Sequence, residues 1–151
     1  MDLKSAIVTA TQDIFSTMLM LDAAPAEQAP EAQFVSNISG MIGVSGDLSA
    51  MVTVHCPESV ATGITAAFLG IEVAEINDDV KDAIGELVNM ITGGIKDALS
   101  QSGLAVKLAV PTIVAGRSFR IACQGAHGRE IVAFTLAEGT FLVEMKYKQL
   151  S

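Results

Sequence analysis

The stretch that decides the fold is "DDVKDAIGELVNMITGGIKDALSQSG", which runs from Asp78 to Gly103. Apolar residues recur in it at the spacing of a helix with one face in a core. They form one broad stripe: Val80, Ile84, Leu87, Val88, Ile91, Ile95, Ala98 and Leu99. Asn77 is a suitable N-cap for this helix, and Gly103 suits its C-terminal end. The stretch therefore predicts a long amphipathic helix that packs against the rest of a domain.

The side opposite the stripe carries an unusual set of residues. Asp82, Glu86, Asn89 and Gly93 align there. A solvated polar face is the ordinary explanation of such a line. However, asparagine is a poor helix former because its side chain competes with the backbone, and an interior glycine costs about 1 kcal/mol relative to alanine. A bare helix surface beside a carboxylate and an amide favours close approach by a partner. Gly85 lies off this line, and packing against a neighbouring helix is one explanation for it.

The rest of the chain predicts an α+β domain. Residues 3–21 have helical periodicity, residues 22–33 read as a loop, and "ESVATGITAAFLG" predicts a shorter helix from Pro57 to Gly70. Residues 34–46 and 48–56 alternate apolar and polar side chains and predict a hairpin. Later strands are predicted at Leu104–Val114, Phe119–Cys123, Glu130–Leu136 and Thr140–Tyr147. We expect a single domain over residues 1–151, with two long helices and one shorter helix on an antiparallel sheet.

A weak internal repeat accompanies these elements. "SAIVTATQDIFSTM" from Ser5 aligns small and apolar residues with "DAIGELVNMITGGI" from Asp82. Downstream, "GDLSAMVTV" from Gly46 is similar to "GREIVAFTL" from Gly128. The pattern predicts two diverged halves related by a pseudo-twofold axis, each a helix followed by strands.

Composition restricts the class of partner. The chain has 151 residues, half of them hydrophobic, and 17 acidic against 9 basic residues give a formal net charge of −8. Without a run of Lys and Arg, this charge argues against nucleic acid or an anionic membrane and favours a basic or mixed surface. No apolar run reaches membrane-spanning length, and "IFSTMLML" lacks the basic n-region of a signal peptide. We therefore expect a cytoplasmic protein.

Cysteine and histidine point to no chemistry of their own. Cys56 and Cys123 lie far apart in strand-like runs without a CxxC pair, so buried, reduced and inert thiols are expected. His55 and His127 lack companion ligands, and no metal site is expected. A metal or thiol enzyme therefore has no supporting residues.

The long helix carries a resemblance to a known family. Asp82, Glu86 and Asn89 match the D-x-x-x-E-x-x-N pattern of the CheX/CheC/FliY family of chemotaxis phosphatases. Pro111 follows Asn89 after 21 intervening residues, one fewer than in the family pattern. The resemblance extends to the opening helix with "IFSTML" and to the hairpin "SGDLSAMVTVHCP". It implies the family's α+β fold and a homodimer built by pairing of sheets.

The resemblance further implies a member with one site. CheC-like members carry the motif on two equivalent helices, whereas CheX-like members carry it once. In this chain the first helix has Ser5, Thr9 and Gln12 at the equivalent positions. Thr9 offers no carboxylate and Gln12 is one methylene too long, so the chain is similar to CheX. The first helix is then predicted to be structural at Thr9 and Gln12.

The implied substrate is a phosphorylated response regulator of the CheY type. Asn89 would orient the attacking water, and Glu86 would engage the regulator's active-site lysine. Asp82, Gly93 and Pro111 would belong to the docking face, although a solvated acid remains open for Asp82. Mg²⁺ would be supplied by the regulator, with no cofactor held by this chain. The pathway, chemotaxis or another two-component circuit, stays open.

A second hypothesis belongs to a different class of function. A non-catalytic, CheX-like domain would dock a response regulator or a flagellar switch component without accelerating hydrolysis. The intact Glu86 and Asn89 pair argues against this alternative.

Overall fold

All three predicted helices are present in the computed structural model, which describes residues 2–26, 35–119 and 128–149. Their bounds are α1 Leu3–Ile14, α2 Glu58–Leu69 and α3 Asp78–Gln101. A π-helical turn, Phe15–Leu19, extends α1 and ends at Met20 with a φ of 55°. None of the described helices combines the length and the apolar character needed to cross a membrane.

Capping sets the two ends of α3. The side-chain oxygen of Asn77 accepts a hydrogen bond from the Val80 N–H at 3.0 Å, as predicted for an N-cap. At the other end Gly103 has a φ of +86°, a conformation that favours glycine after a helix. The predicted apolar stripe is buried, apart from Ala98, which is half-buried. The sequence-based prediction of this helix is confirmed.

Seven strands in the described part of the chain form one antiparallel sheet. They are β1 Ala24–Pro25, β2 Ser36–Gly46, β3 Leu48–Cys56, β4 Val106–Leu108, β5 Thr112–Phe119, β6 Gly128–Leu136 and β7 Gly139–Gln149. The order is β1-β6-β7-β3-β2-β4, and β5 also pairs with β2. The predicted hairpin is β2–β3, and three helices with an antiparallel sheet confirm the α+β class.

Two sequence-based boundaries were wrong. The predicted strand Leu104–Val114 is two strands, β4 and β5, because the chain leaves the edge of β2 between them. Pro111 lies in this break, and it has no N–H to donate to a ladder. The expected loop after α1 also contains the short strand β1, which pairs with β6.

Two further expectations from the sequence stay predictions. The strand predicted at Phe119–Cys123 lies mostly outside the described residues. The internal repeat also stays a prediction. Its alignment equates β3, in the middle of the sheet, with β6, next to β1, and these two strands do not occupy equivalent places in the sheet.

The core lies between the helices and one face of the sheet. Gly40 of β2 lets α3 lie close, because an added Cβ would sit 3.1 Å from Ile84 Cγ2 and 3.3 Å from the Ile84 carbonyl oxygen. Phe141 stacks between Phe15 and Phe134, with ring centroids 5.1 and 5.4 Å apart. At Gly40 the α3 backbone thus lies directly on the sheet.

A buried polar network lies on the other face of the sheet. His55 Nδ1 is 2.8 Å from Ser39 Oγ, and His55 Nε2 is 3.1 Å from a Glu144 carboxylate oxygen. The other carboxylate oxygen accepts a hydrogen bond from Arg129. An ionised carboxylate can only accept, so Nε2 donates to Glu144 and, in the neutral ring, Nδ1 accepts from Ser39. Burial by itself would raise the pKa of Glu144, but the hydrogen bonds from His55 and Arg129 hold it below its ordinary value.

The network predicts a pH-dependent contribution to stability. Because the folded-state pKa of Glu144 is lowered, the contribution is present above the ordinary value of 4.5 and is lost as the pH falls through the lower folded value. We expect Glu144→Gln to reduce the free energy of unfolding by about 1–3 kcal/mol at neutral pH, and by less in acid. Urea unfolding between about pH 3 and 7 measures this, with the exposed Glu72→Gln as control. A difference from wild type that does not change with pH would contradict the account.

Candidate functional site

Three polar side chains on one side of α3 project into solvent. Asp82, Glu86 and Asn89 are exposed, and a Cβ added to Gly93 would meet no heavy atom within 4 Å. Their spacing of four, three and four residues keeps all four positions on one side of the helix. The predicted exposed line is therefore present, with open space at the glycine.

The other two glycines of α3 serve packing. A Cβ on Gly94 would lie 2.8 Å from the Cβ of Ala10, so Gly94 allows α1 and α3 to approach closely. Gly94 is therefore a packing position and not part of the bare surface around Gly93. A Cβ on Gly85 would lie 3.5 Å from Ile113 Cδ1, so Gly85 faces strand β5 and not a neighbouring helix. Only Gly93 leaves the helix backbone bare.

The adjacent glycines provide a matched pair of variants. Gly93→Ala should stabilise the protein by up to about 1 kcal/mol, because the methyl group enters open space and alanine favours the helix. Gly94→Ala should cost about 1–3 kcal/mol in overpacking, because the Cβ of Ala10 cannot rotate away from the new methyl group. The helix preference of alanine offsets part of this cost, as it does at Gly93. Thermal melts of both variants measure the difference. Equal melting temperatures would show that the contact between α1 and α3 adjusts without cost.

A groove of about 1050 Å³ runs between α1 and α3. Asn89 and Gly93 line it on the α3 side, and Ser5, Thr9 and Asp13 line it on the α1 side. Four small residues also line it: Ala6, Ala10, Gly94 and Ala98. Glu86 lies one turn before the groove on the same line of α3. The amide of Asn89 therefore lies where the exposed line of α3 enters this groove.

The two candidate structural residues of α1 behave differently. Gln12 does not line the groove, and its Nε2 donates to the Ala23 carbonyl oxygen at 3.3 Å, in agreement with a structural role. Thr9 is exposed and lines the groove, and its structural role stays a prediction. The packing of α1 against α3 is a tertiary contact, and no local pattern in the sequence reports it.

Pro111 lies on the helix side of the sheet. It is half-buried and immediately precedes β5, whose Ile113 side chain faces Gly85 of α3. Alternation along an extended chain puts Pro111 and Ile113 on the same face. Val110, which sequence reasoning missed, is 84% exposed beside Pro111. An isolated apolar residue in a loop gives no sequence signal of this exposure.

Within the described residues, neither a reactive thiol nor a metal-ligand cluster is found beside α3. Cys56 is buried, as predicted, and burial raises the pKa of its thiol to about 12. Cys123 and His127 lie outside the described residues. In the ranges that the structure describes, no three His, Cys, Asp or Glu side chains cluster as metal ligands.

Fold and site together define an α+β protein with a carboxylate and an amide exposed one turn apart on a helix that packs on an antiparallel sheet. The model of the family described as "Chemotaxis phosphatase CheX" matches residues 38–135. The chain therefore belongs to this family of chemotaxis phosphatases, which are hydrolases, and the resemblance stated from the motif is confirmed.

Similar proteins agree on the fold. The CheY-P phosphatase CheX of Thermotoga maritima is 29% identical over 82 residues, which are 54% of this chain and 53% of that protein, so the match spans about half of its length. The chemotaxis protein CheX of Vibrio vulnificus is 27% identical, with a TM-score of 0.87 over 98% of this chain and 97% of the other. The CheX–CheY–BeF3–Mg²⁺ complex of Borrelia burgdorferi matches in fold, with 17% identity and a TM-score of 0.79 over 98% and 99%.

Proposed function

We propose that this chain hydrolyses the phosphoaspartate of a CheY-type response regulator. The observation that carries the proposal is the exposed pair Glu86 and Asn89, one turn apart on α3, with open space at Gly93. Membership of a chemotaxis phosphatase family supports it, as does the name of the Thermotoga maritima relative. The chain would thus act in two-component signalling, as a protein phosphatase.

Asn89 acts on the attacking water. An acyl phosphate on aspartate is prone to hydrolysis, and the reaction needs a water in line with the leaving carboxylate oxygen. The side-chain oxygen of Asn89 accepts one hydrogen bond from that water and directs its lone pair toward phosphorus. The neutral amide does not act as a base. Water forms the new P–O bond as the bond to the aspartate breaks, which releases inorganic phosphate and leaves the aspartate carboxylate.

Glu86 sets the register between the two proteins. Its carboxylate pairs with the active-site lysine of the regulator and so brings Asn89 to the phosphorus. Gly93 and Pro111 belong to the docking face. Gly93 leaves the helix backbone bare, and the ring of Pro111 fixes the backbone conformation there. Asp82 lies one turn before Glu86, at the periphery of this face, where it either docks or remains solvated.

Magnesium belongs to the regulator in this scheme. The Borrelia burgdorferi structure contains CheX, CheY, BeF3 and Mg²⁺ together. In this proposal Mg²⁺ would arrive with the regulator and would offset charge on the phosphoryl oxygens. Among the described residues of the present chain, no ligand cluster for a cation is found. The homodimer and the cytoplasmic location stay predictions. Analytical ultracentrifugation would measure the oligomeric state.

A phosphate-release assay tests the proposal. The regulator is phosphorylated with a small acyl phosphate, and the excess reagent is removed. The loss of phosphorylated regulator is then followed with and without this protein. We expect the rate at which phosphorylated regulator is lost to rise in proportion to the concentration of this protein. Binding without acceleration would instead support the non-catalytic docking domain.

A further inference from the structure

We propose that the groove between α1 and α3 receives a basic segment of the same response regulator, with Thr9 and Asp13 of α1 forming the second wall of the docking site. This inference rests on the proposed function and adds the surface that recognises the partner. It assigns a role in specificity to the first helix, which carries no catalytic motif.

The geometry of the groove extends the exposed line of α3. From Asn89 the line continues at four-residue steps through Gly93, Asp97 and Gln101, and all four residues line the groove. On α1, Ser5, Thr9 and Asp13 repeat at the same step and line it from the other side. Residues four apart lie above one another on a helix. A partner that reaches Asn89 along α3 therefore meets the wall formed by α1.

The groove has room beside Asn89. A Cβ on Gly93 would touch nothing within 4 Å, whereas Gly94, the next residue, is in contact with Ala10. Close packing thus lies at the bottom of the groove, and open space lies at its mouth. Small residues on both helices line the groove between the polar side chains: Ala6, Ala10, Gly94 and Ala98.

The charge of the residues that line the groove favours a basic partner segment. Three acids, Asp2, Asp13 and Asp97, line the groove against one base, Lys96. Asp2 is already engaged, since it accepts hydrogen bonds from the Ser5 N–H at 3.2 Å and the Ser5 hydroxyl at 2.7 Å. Within the described residues the carboxylates of Asp13 and Asp97 have no partner. Two exposed carboxylates beside the site, on a chain of net charge −8, fit a segment with a basic side chain.

Two variants of α1 test the second wall. Asp13→Lys reverses the charge of this wall, and Thr9→Trp adds bulk to it, while neither alters Glu86 or Asn89. Each should raise the KM for phosphorylated regulator by about tenfold, with the turnover number at saturation unchanged within about twofold, as for a residue that binds substrate and transition state alike. Higher ionic strength should raise the KM of wild type and have a smaller effect on Asp13→Lys.

Matched controls use exposed positions that do not line the groove. Asp22→Lys makes the same charge change, and Ser16→Trp adds the same bulk near the end of α1. Thermal melts confirm that all four variants fold. If Asp13→Lys and Thr9→Trp behaved like their controls, or lowered the turnover number with KM unchanged, the inference would be overturned. A wild-type protein that fails to accelerate hydrolysis would instead remove the proposed function itself.

Discussion

Asn89→Ala is expected to lower the catalysed rate of regulator dephosphorylation by about two orders of magnitude or more, on the scale of losing one well-placed polar group in a transition state. The variant keeps Glu86, so the regulator still docks, but the attacking water is no longer oriented. The measurement is phosphate release at saturating protein. Binding of the regulator should change little, which separates loss of chemistry from loss of the complex.

The control for Asn89→Ala is built into the same helix. Asn89 is exposed and truncation to alanine favours a helix, so the melting temperature should not fall. Lys81→Ala, at another exposed position of α3, should retain wild-type turnover. If Asn89→Ala hydrolysed phosphoaspartate within about threefold of wild type, its assigned role in orienting water would be rejected, because such a group ordinarily contributes far more.

Glu86→Gln is expected to weaken the complex by about 2–5 kcal/mol, because it removes one charge of a pair that becomes desolvated on docking. Glutamine keeps the shape of the side chain and a hydrogen-bond acceptor, so the change reports the charge. Affinity is measured by calorimetry with regulator carrying beryllofluoride and Mg²⁺ as a stable mimic of the phosphoryl group. The KM for phosphorylated regulator should rise in parallel.

Glu75→Gln provides the matched control for this charge removal. Glu75 is exposed in the segment before α3, and the same change there should leave affinity within about twofold of wild type. An unchanged affinity for Glu86→Gln together with a collapse of turnover would assign Glu86 to the chemical step instead of to docking.

The predicted properties of α3 depend on local interactions. Its stripe follows from the pitch of a helix, its start from the hydrogen bond between Asn77 and the Val80 N–H, and its end from Gly103. The spacing of Glu86 and Asn89 lies within one helix, so folding α3 is sufficient to place both side chains on one exposed line. The β2–β3 hairpin is local in the same sense, since alternation and a tight turn specify it.

The remaining features depend on contacts between residues far apart in the chain. Gly93 and Gly94 are adjacent and identical in sequence, yet only the packing of α1 makes one bare and the other filled by Ala10. Glu144 meets His55 only because β7 pairs with β3. Local sequence determined the motif, its helix and its exposed face, because their interactions span three or four residues. The tertiary structure alone decided the groove beside Asn89, because its second wall belongs to a helix more than 70 residues earlier in the chain.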